Sequence, residues 1–199
     1  MSQGRIVFVT LASLCLGVGP CAVAGGRSCP ELEGAKPQAH LEYLQRDRST
    51  LTPARIAYAP DQLGLHQYSP AVKTLVKYLD YRLPEDPARA HLAVISRTPT
   101  LGTIYPATTA LFEIGEPAVP DLVEAIASST TSDVARDNAR EVVFLIYRSD
   151  VAESVRVLIR ASKASSDWEA SMRLYNAARE TAVKCGESRN TCMNALSER

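Results

Sequence analysis

The chain has 199 residues, with 22 Lys or Arg and 22 Asp or Glu, so its formal net charge is zero. This balance argues against binding of nucleic acid or of an anionic membrane surface through overall charge. The chain has only 10 glycines and few β-branched runs with period two, so the composition offers little material for a sheet.

Residues 1–24 have the three-part pattern of a cleaved export signal. One charge, Arg5, precedes an apolar run over 6–16, and small residues lead to a cleavage point after about Ala24. We therefore expect the mature chain to act in the periplasm or outside the cell, an uncleaved N-terminal anchor being the alternative. No other apolar run approaches the length of a membrane span, so stable membrane insertion of the mature chain is not expected.

The residues between the export signal and the first clear helix are polar and contain several glycines and prolines. Residues 25–50 are predicted to form a poorly ordered N-terminal arm, with a short helix around 39–46. Thr52 and Pro53 then begin a helix as its N-cap and first-turn residue. Pro60 removes a backbone hydrogen bond inside this helix, so it is expected to kink or split it.

The next helix begins at Ser69 and Pro70. Its apolar stripe has helical spacing and consists of Val72, Leu75, Val76 and Leu79. Residues 83–103 carry three prolines and no strong stripe. A stretch of this length in a compact domain is either an insertion with a short helix or a loop that contacts a partner.

The clearest helix pair surrounds Gly115. Apolar residues recur at helical spacing over 104–114 and again over 119–127. Gly115 suits the left-handed residue that closes a helix, and Pro117 and Pro120 fall in the first turn of the next, where a missing N–H costs little. Because one pair of this size cannot bury its apolar stripe alone, it needs similar pairs stacked on both sides.

A third helix pair and a final helix are predicted after a polar turn. Apolar stripes over 135–146 and 151–159 form the pair. Ser166 and Glu169 have the spacing of a capping box and begin the final helix, with Trp168 on its apolar stripe. Three charged residues of the final helix are expected to face water, as the outer side of a terminal element requires: Arg173, Glu180 and Lys184.

Residues 110–126 read Ala-Leu-Phe-Glu-Ile-Gly-Glu-Pro-Ala-Val-Pro-Asp-Leu-Val-Glu-Ala-Ile, with weaker echoes over 57–79 and 139–158. The chain thereby resembles the HEAT-like repeat family and looks like an exported bacterial member of it. The resemblance implies an all-α fold over 51–184: a short α/α superhelix of about three repeats with a C-terminal capping helix. It also implies a protein-binding scaffold, and it supplies no catalytic residues.

Export leaves three cysteines, Cys29, Cys185 and Cys192, in a compartment where disulfides persist. Three thiols allow one bridge. Cys185 and Cys192 enclose a short loop after the last helix, so we favour this pair and expect it to close the tail over 185–199. The alternatives are a bridge to Cys29 and three separate thiols.

The sequence contains no motif that predicts catalysis. The three histidines, His40, His66 and His91, lack the i, i+4 spacing of a helical zinc site, and no metal or cofactor is expected. A nucleophile elbow and a phosphate-binding glycine loop are also missing. Acidic residues of the central pair are interpreted as solvated surface, with a general acid–base pair as the alternative: Glu113, Glu116, Asp121 and Glu124.

Aromatic residues cluster in the first half of the chain, near lysines and arginines. Because Tyr and Arg are common anchors of protein interfaces, the candidate binding residues are Tyr78, Tyr81, Arg82 and Tyr105. The alternative is that Tyr78 and Tyr81 simply pack between repeats.

These observations together predict a non-catalytic scaffold that binds a protein partner outside the cytoplasm through helical-repeat surfaces. The alternative from another class is a small exported enzyme or ligand-handling protein that uses a pocket on the concave face. A third hypothesis is an accessory fragment that stabilises a larger repeat assembly through its open end.

Overall fold

A computed structural model describes residues 32–84, 104–186 and 189–197. Within these ranges the chain is all-helical and has no strand, which confirms the all-α part of the predicted fold. The predicted export signal, Cys29 and most of 83–103 lie outside the described residues. The α-helices of the described ranges are α1 (Pro37–Leu44), α2 (Pro53–Leu65), α3 (Val72–Val76), α4 (Pro106–Ile114), α5 (Val119–Ala127), α6 (Asp133–Ile146), α7 (Val151–Ala164), α8 (Trp168–Val183) and α9 (Arg189–Ser197).

The helix starts follow local sequence rules. Proline occupies the first turn of α1, α2 and α4, where an N–H would have no partner within the helix. Polar side chains cap α6 and α7, because Ser132 accepts from the backbone N–H of Ala135 at 3.2 Å and Asp150 from that of Glu153 at 3.3 Å. Gly115 is the C-cap of α4, as predicted, with a φ of 77° and a ψ of −142°. This positive-φ conformation favours glycine but differs from the left-handed helical conformation that was expected.

The N-terminal arm contains the short helix predicted around 39–46, and this helix is packed against the body rather than loosely ordered. Residues 37–44 form α1, which packs against α2, and its Leu41, Tyr43 and Leu44 are buried. The Tyr78 hydroxyl also donates to the carbonyl oxygen of Leu44 at 2.8 Å. Few apolar residues at the right spacing were enough to dock this short helix, so the folded body begins before residue 51.

Helices α2 to α6 pack closely against one another. α2 lies against α4, α4 against α6, and α3 against both α4 and α5. Gly64 of α2 approaches α4 so closely that a Cβ on it would lie 2.7 Å from the Cα of Ala110. Pro60 is buried inside α2, which continues to Leu65 and is therefore not split. The buried amide of Asn138 in α6 donates to the carbonyl oxygen of Leu79 at 2.6 Å and ties α6 to the end of the α3 segment.

The start of α8 differs from the prediction in two ways. Its N-cap is Asp167 rather than Ser166, because the Asp167 carboxylate accepts from the backbone N–H of Glu169 at 3.0 Å. Trp168 does not contribute to the apolar stripe, since it is 69% exposed. The buried side of α8 is built mostly from small residues: Ala170, Leu174, Ala177, Ala178, Thr181 and Ala182.

α8 packs against α5, α6, α7 and α9. Of the three charged residues predicted to face water, Glu180 and Lys184 are exposed, whereas Arg173 is half-buried. Arg173 donates from Nε to the carbonyl oxygen of Ala127 at 2.6 Å. The other two form ion pairs with Arg140 and Glu141 of α6.

The C-terminal tail is helical in its described part and belongs to the body. Cys185 and Cys192 form a disulfide with an S–S distance of 2.06 Å, the pairing favoured from the sequence. Cys192 and Ala195 are buried on the side of α9 that packs against α7 and α8. The bridge therefore fastens a short helix that has little apolar surface of its own.

Candidate functional site

Two of the predicted binding residues, Tyr78 and Tyr81, meet edge-on with ring centroids 6.3 Å apart and an interplanar angle of 68°. The guanidinium carbon of Arg48 lies 5.2 Å from the centroid of the Tyr78 ring and 5.0 Å from that of Tyr81. This is the geometry in which the negative face of an aromatic ring attracts a cation. The three side chains form one cluster, built from segments more than 25 residues apart.

Two carboxylates position Arg48. Asp80 accepts from both of its terminal nitrogens at 3.4 Å, with the two side chains 45% and 40% exposed. Asp47 accepts from the backbone N–H of Ser49 at 2.9 Å and so caps the 3₁₀ turn that carries Arg48. Hydrogen bonds from Ser49 hold the pKa of the Asp47 carboxyl below its ordinary value, so this cap stays ionised. An exposed ion pair contributes little stability, and its role here is orientation.

The four predicted residues have different environments. Tyr78 is 5% exposed and its hydroxyl is used internally, so it is a packing residue. Tyr81 and Tyr105 are half-buried, and Arg82 is exposed. A backbone hydrogen bond from Leu83 to Ile104, 2.9 Å long, brings the chain after Arg82 beside the chain before Tyr105. We call Arg48, Tyr78, Asp80, Tyr81 and Arg82 the Tyr–Arg surface.

Both tyrosines of the Tyr–Arg surface remain neutral phenols. Burial raises the pKa of Tyr78 and of Tyr81, and the nearby Arg48 charge opposes this shift only in part. Sequence reasoning missed Arg48, because its distance from Tyr78 along the chain hides the contact. The local signal was Asp47 before Arg48 and Ser49, a sequence typical of a capped turn.

A second feature is a charged cleft of about 410 Å³ between α6 and α8. Its arginines lie deep, since the side chains of Arg136, Arg140 and Arg173 are 24%, 15% and 22% exposed. Its carboxylates form the rim, since those of Asp133 and Glu180 are 95% and 59% exposed. Asp137, Asn176 and Ala177 complete the lining.

The arginines of the cleft are engaged in holding helices together. Arg136 donates to the backbone carbonyl oxygens of Ser128 at 3.3 Å and Thr131 at 2.9 Å, which secures the loop before α6. Arg140 joins Asp137 of its own helix to Glu180 of α8. We therefore interpret the cleft first as a network of ion pairs that fixes α8 on α6.

Glu113 does not have the environment expected of a solvated surface acid. Its Oε2 is buried without a hydrogen-bond partner and lies 2.3 Å from the position of a Cβ built on Gly64. Burial, together with the charge of Asp61 on α2, raises the pKa of the Glu113 carboxyl. A raised pKa suits a general acid, but this carboxyl sits in a closed helix contact rather than in a cleft.

The two described histidines have different environments. His40 is buried in α1, with its ring edge-on to Tyr58 at 5.7 Å, and His66 is exposed after α2. His91 lies outside the described residues. Among the residues that the structure covers, no three His, Cys, Asp or Glu side chains converge as a metal site would require.

Comparisons with protein-family models, with curated proteins and with solved structures find no match to this chain. Among the helices of 32–84, 104–186 and 189–197, none is both long enough and apolar enough to cross a bilayer.

Proposed function

We propose that this chain is a non-catalytic binding module that is exported from the cytoplasm and holds a protein partner through the Tyr–Arg surface. The observation that carries the proposal is the stacking of Arg48 over Tyr78 and Tyr81 at a partly exposed site. Tyr and Arg are enriched among the residues that dominate binding energy at interfaces. A guanidinium that is already stacked also loses less freedom on binding than a free one.

The proposed scaffold is a short HEAT-like superhelix, and the order of packing supports it. α2, α4 and α6 lie side by side, as the first helices of three successive repeats would. α3 lies against α4 and α5, as the second helix of a repeat contacts the next repeat. α7 departs from this pattern because its main neighbours are α8 and α9.

The binding role is tested by replacing Tyr81 and Arg82 with alanine and measuring capture of a partner from the exported fraction. We expect loss of the partner from a chain that is still folded, with only a small fall in melting temperature, because Arg82 is exposed and Tyr81 is half-buried. Arg179→Ala, at an exposed position of α8, is the matched control and should retain the partner. Lost folding without a specific loss of partner would show that the tyrosine only packs.

Export is tested by sequencing the N-terminus of the mature pool. Cleavage after about Ala24 gives a chain that starts near Gly25. A mature chain that starts at Met1 would contradict the proposed location.

A second candidate function is ligand handling in the charged cleft, favoured by its volume of about 410 Å³ and its three arginines. Pockets of this size hold small organic molecules. Native mass spectrometry of the purified chain would detect a retained ligand. Arg140→Gln should abolish retention while Arg179→Gln should not, and a chain that carries no ligand would favour the scaffold.

A further inference from the structure

The exposed side of the chain around the Tyr–Arg surface is rich in cations. Lys73 and Lys77 are exposed and lie four residues apart on α3 and the turn after it, while Val72 and Leu75 are buried on the opposite side. Backbone hydrogen bonds from residues three positions apart continue the helical path through 77–79, so Lys77 leads directly into the Tyr–Arg surface.

The C-terminal end of α1 extends the same surface. The hydrogen bond from the Tyr78 hydroxyl to the Leu44 carbonyl oxygen places this end beside the tyrosines. Arg46 is exposed there, and its guanidinium carbon lies 5.2 Å from the centroid of the Tyr43 ring. A second arginine, Arg55 of α2, lies 5.2 Å from the same ring. Aromatic rings therefore hold the exposed guanidinium groups of Arg46 and Arg48 in fixed positions.

We define the basic face by its exposed charges, five cations against three carboxylates, or 5 − 3 = +2. These residues are Arg46, Arg48, Lys73, Lys77 and Arg82, with Glu42, Asp47 and Asp80. Two of the carboxylates are occupied, because Asp47 caps its own turn and Asp80 contacts Arg48. α4 and α5 show the opposite balance, with acids and no Lys or Arg over 106–127.

We propose that the basic face binds an acidic, extended segment of the protein partner. The proposal rests on the binding role proposed above and names the chemistry of that partner. Planar guanidinium groups match carboxylates through paired hydrogen bonds, and the lysines add compact charges beside them. The neutral Tyr81 phenol is half-exposed and adds a hydrogen-bond donor with an apolar ring.

The size of the charge excess favours a peptide over other polyanions. Duplex nucleic acid and anionic membranes are bound through many phosphate contacts, and their affinity grows with the number of neutralised charges. An excess of two charges is small for that purpose, whereas a few carboxylates of one peptide segment would neutralise it. A stacked arginine beside a tyrosine also recognises local geometry rather than a uniform field.

The test measures fluorescence anisotropy of a labelled oligo-glutamate peptide with the purified chain. We expect saturable binding that weakens with added salt, since exposed charges are screened within about 10 Å at 0.1 M ionic strength. Lys77→Glu should weaken binding about tenfold, equivalent to about 1.4 kcal/mol. Arg179→Glu on α8 makes the same change of charge elsewhere and should leave binding unchanged. Melting temperatures of both variants show that each is folded.

Three results would overturn the proposal. Equal binding of oligo-lysine or oligo-serine peptides would remove the charge argument. Equal binding of duplex DNA or of vesicles that contain anionic lipid would show that the face binds polyanions in general rather than an acidic peptide. Concentration-dependent dimerisation that Lys77→Glu abolishes would identify the occupant as the acidic side of a second copy. If Tyr81→Ala loses the captured partner but Lys77→Glu does not, the binding role stands and the acidic chemistry fails.

Discussion

Packing of neighbouring helices buries some ionisable side chains and thereby disfavours their charged forms. His40 is 1% exposed at the contact of α1 with α2, and its Nδ1 is buried without a hydrogen-bond partner. Burial lowers the pKa of the imidazole, a hydrogen bond with the Ala35 backbone opposes the shift, and the charge of His66 adds to it. The fold therefore prefers the neutral form of this histidine.

The stability of the α1 contact should consequently depend on pH. Because the pKa of His40 is lower in the folded than in the unfolded chain, the unfolded chain takes up the proton first as the pH falls below about 6.5. Stability that is present above that value is lost as the pH falls through the folded pKa. Chemical denaturation of wild type and His40→Gln across this range should show a steeper decline for wild type. His66→Gln removes the charge that adds to the lowering of the His40 pKa, so its decline should be slightly shallower than that of wild type. Parallel curves for wild type and His40→Gln would refute the assignment.

Glu113 should give stability the opposite dependence on pH. The pKa of its carboxyl is raised from 4.5 by burial and by Asp61, so the ionised form is disfavoured in the folded chain. Stability is full below the ordinary pKa and is lost as the pH rises through the folded value. At neutral pH Glu113→Gln should stabilise the chain by less than about 1 kcal/mol, or less than about 2–4 °C in melting temperature, because it removes the charge but leaves a polar amide at the same position. The gain should vanish at low pH, and Glu124→Gln at an exposed site of α5 should be neutral.

Between elements, α2 and α4 approach each other very closely at Gly64. Alanine has the better helix propensity by about 1 kcal/mol, so local reasoning expects Gly64→Ala to stabilise α2. The packing argues otherwise, because the new Cβ would lie 2.7 Å from a backbone atom, the Cα of Ala110, and 2.3 Å from Oε2 of Glu113. The backbone atom cannot move without moving α4.

We therefore predict that Gly64→Ala destabilises the chain by about 1–3 kcal/mol, as overpacking of a core usually does. Urea denaturation with an unchanged slope would measure the loss. Ala57→Gly, at a half-buried position of the same helix, measures the difference in helix propensity between alanine and glycine. A rise in stability for Gly64→Ala would show that α2 and α4 are not in close contact at this point.

Across the whole molecule, the sequence predicted the helices better than it predicted their neighbours. The apolar spacing around Gly115 and the prolines of the first turns located the central pair, because these signals are local. The contact of Arg48 with Tyr78 could not be predicted, since its partners lie far apart in sequence and neither position is apolar. The contact of Arg173 with α5 was missed for a similar reason. A charged helix surface reads as solvated, and only the fold shows which cations reach a carbonyl or a carboxylate of another helix.

Arg173 is the clearest of these cations, and it leads to a prediction about the molecule as a unit. Its Nε donates at 2.6 Å to the carbonyl oxygen of Ala127, at the C-terminal end of α5, where the helix dipole favours a positive charge. Glu169 contacts the same guanidinium at 3.4 Å, so the side chain is held from its own helix as well. Through α8 this contact links α5 to α7 and α9, beside the direct contact of α6 with α7.

Arg173→Ala should cost about 1.5–3 kcal/mol, the usual value for a hydrogen bond from a charged group, because the Ala127 carbonyl loses its donor. Arg173→Lys restores the charge without the planar donor and should recover part of the loss. Arg179→Ala, exposed on the same helix, should change stability by less than about 0.5 kcal/mol. Native-state hydrogen exchange should show the amides of α7, α8 and α9 losing protection together in Arg173→Ala, ahead of those in α2 and α4. Uniform loss of protection across all helices would mean that the Arg173 contact does not secure α7, α8 and α9 separately from the rest of the chain.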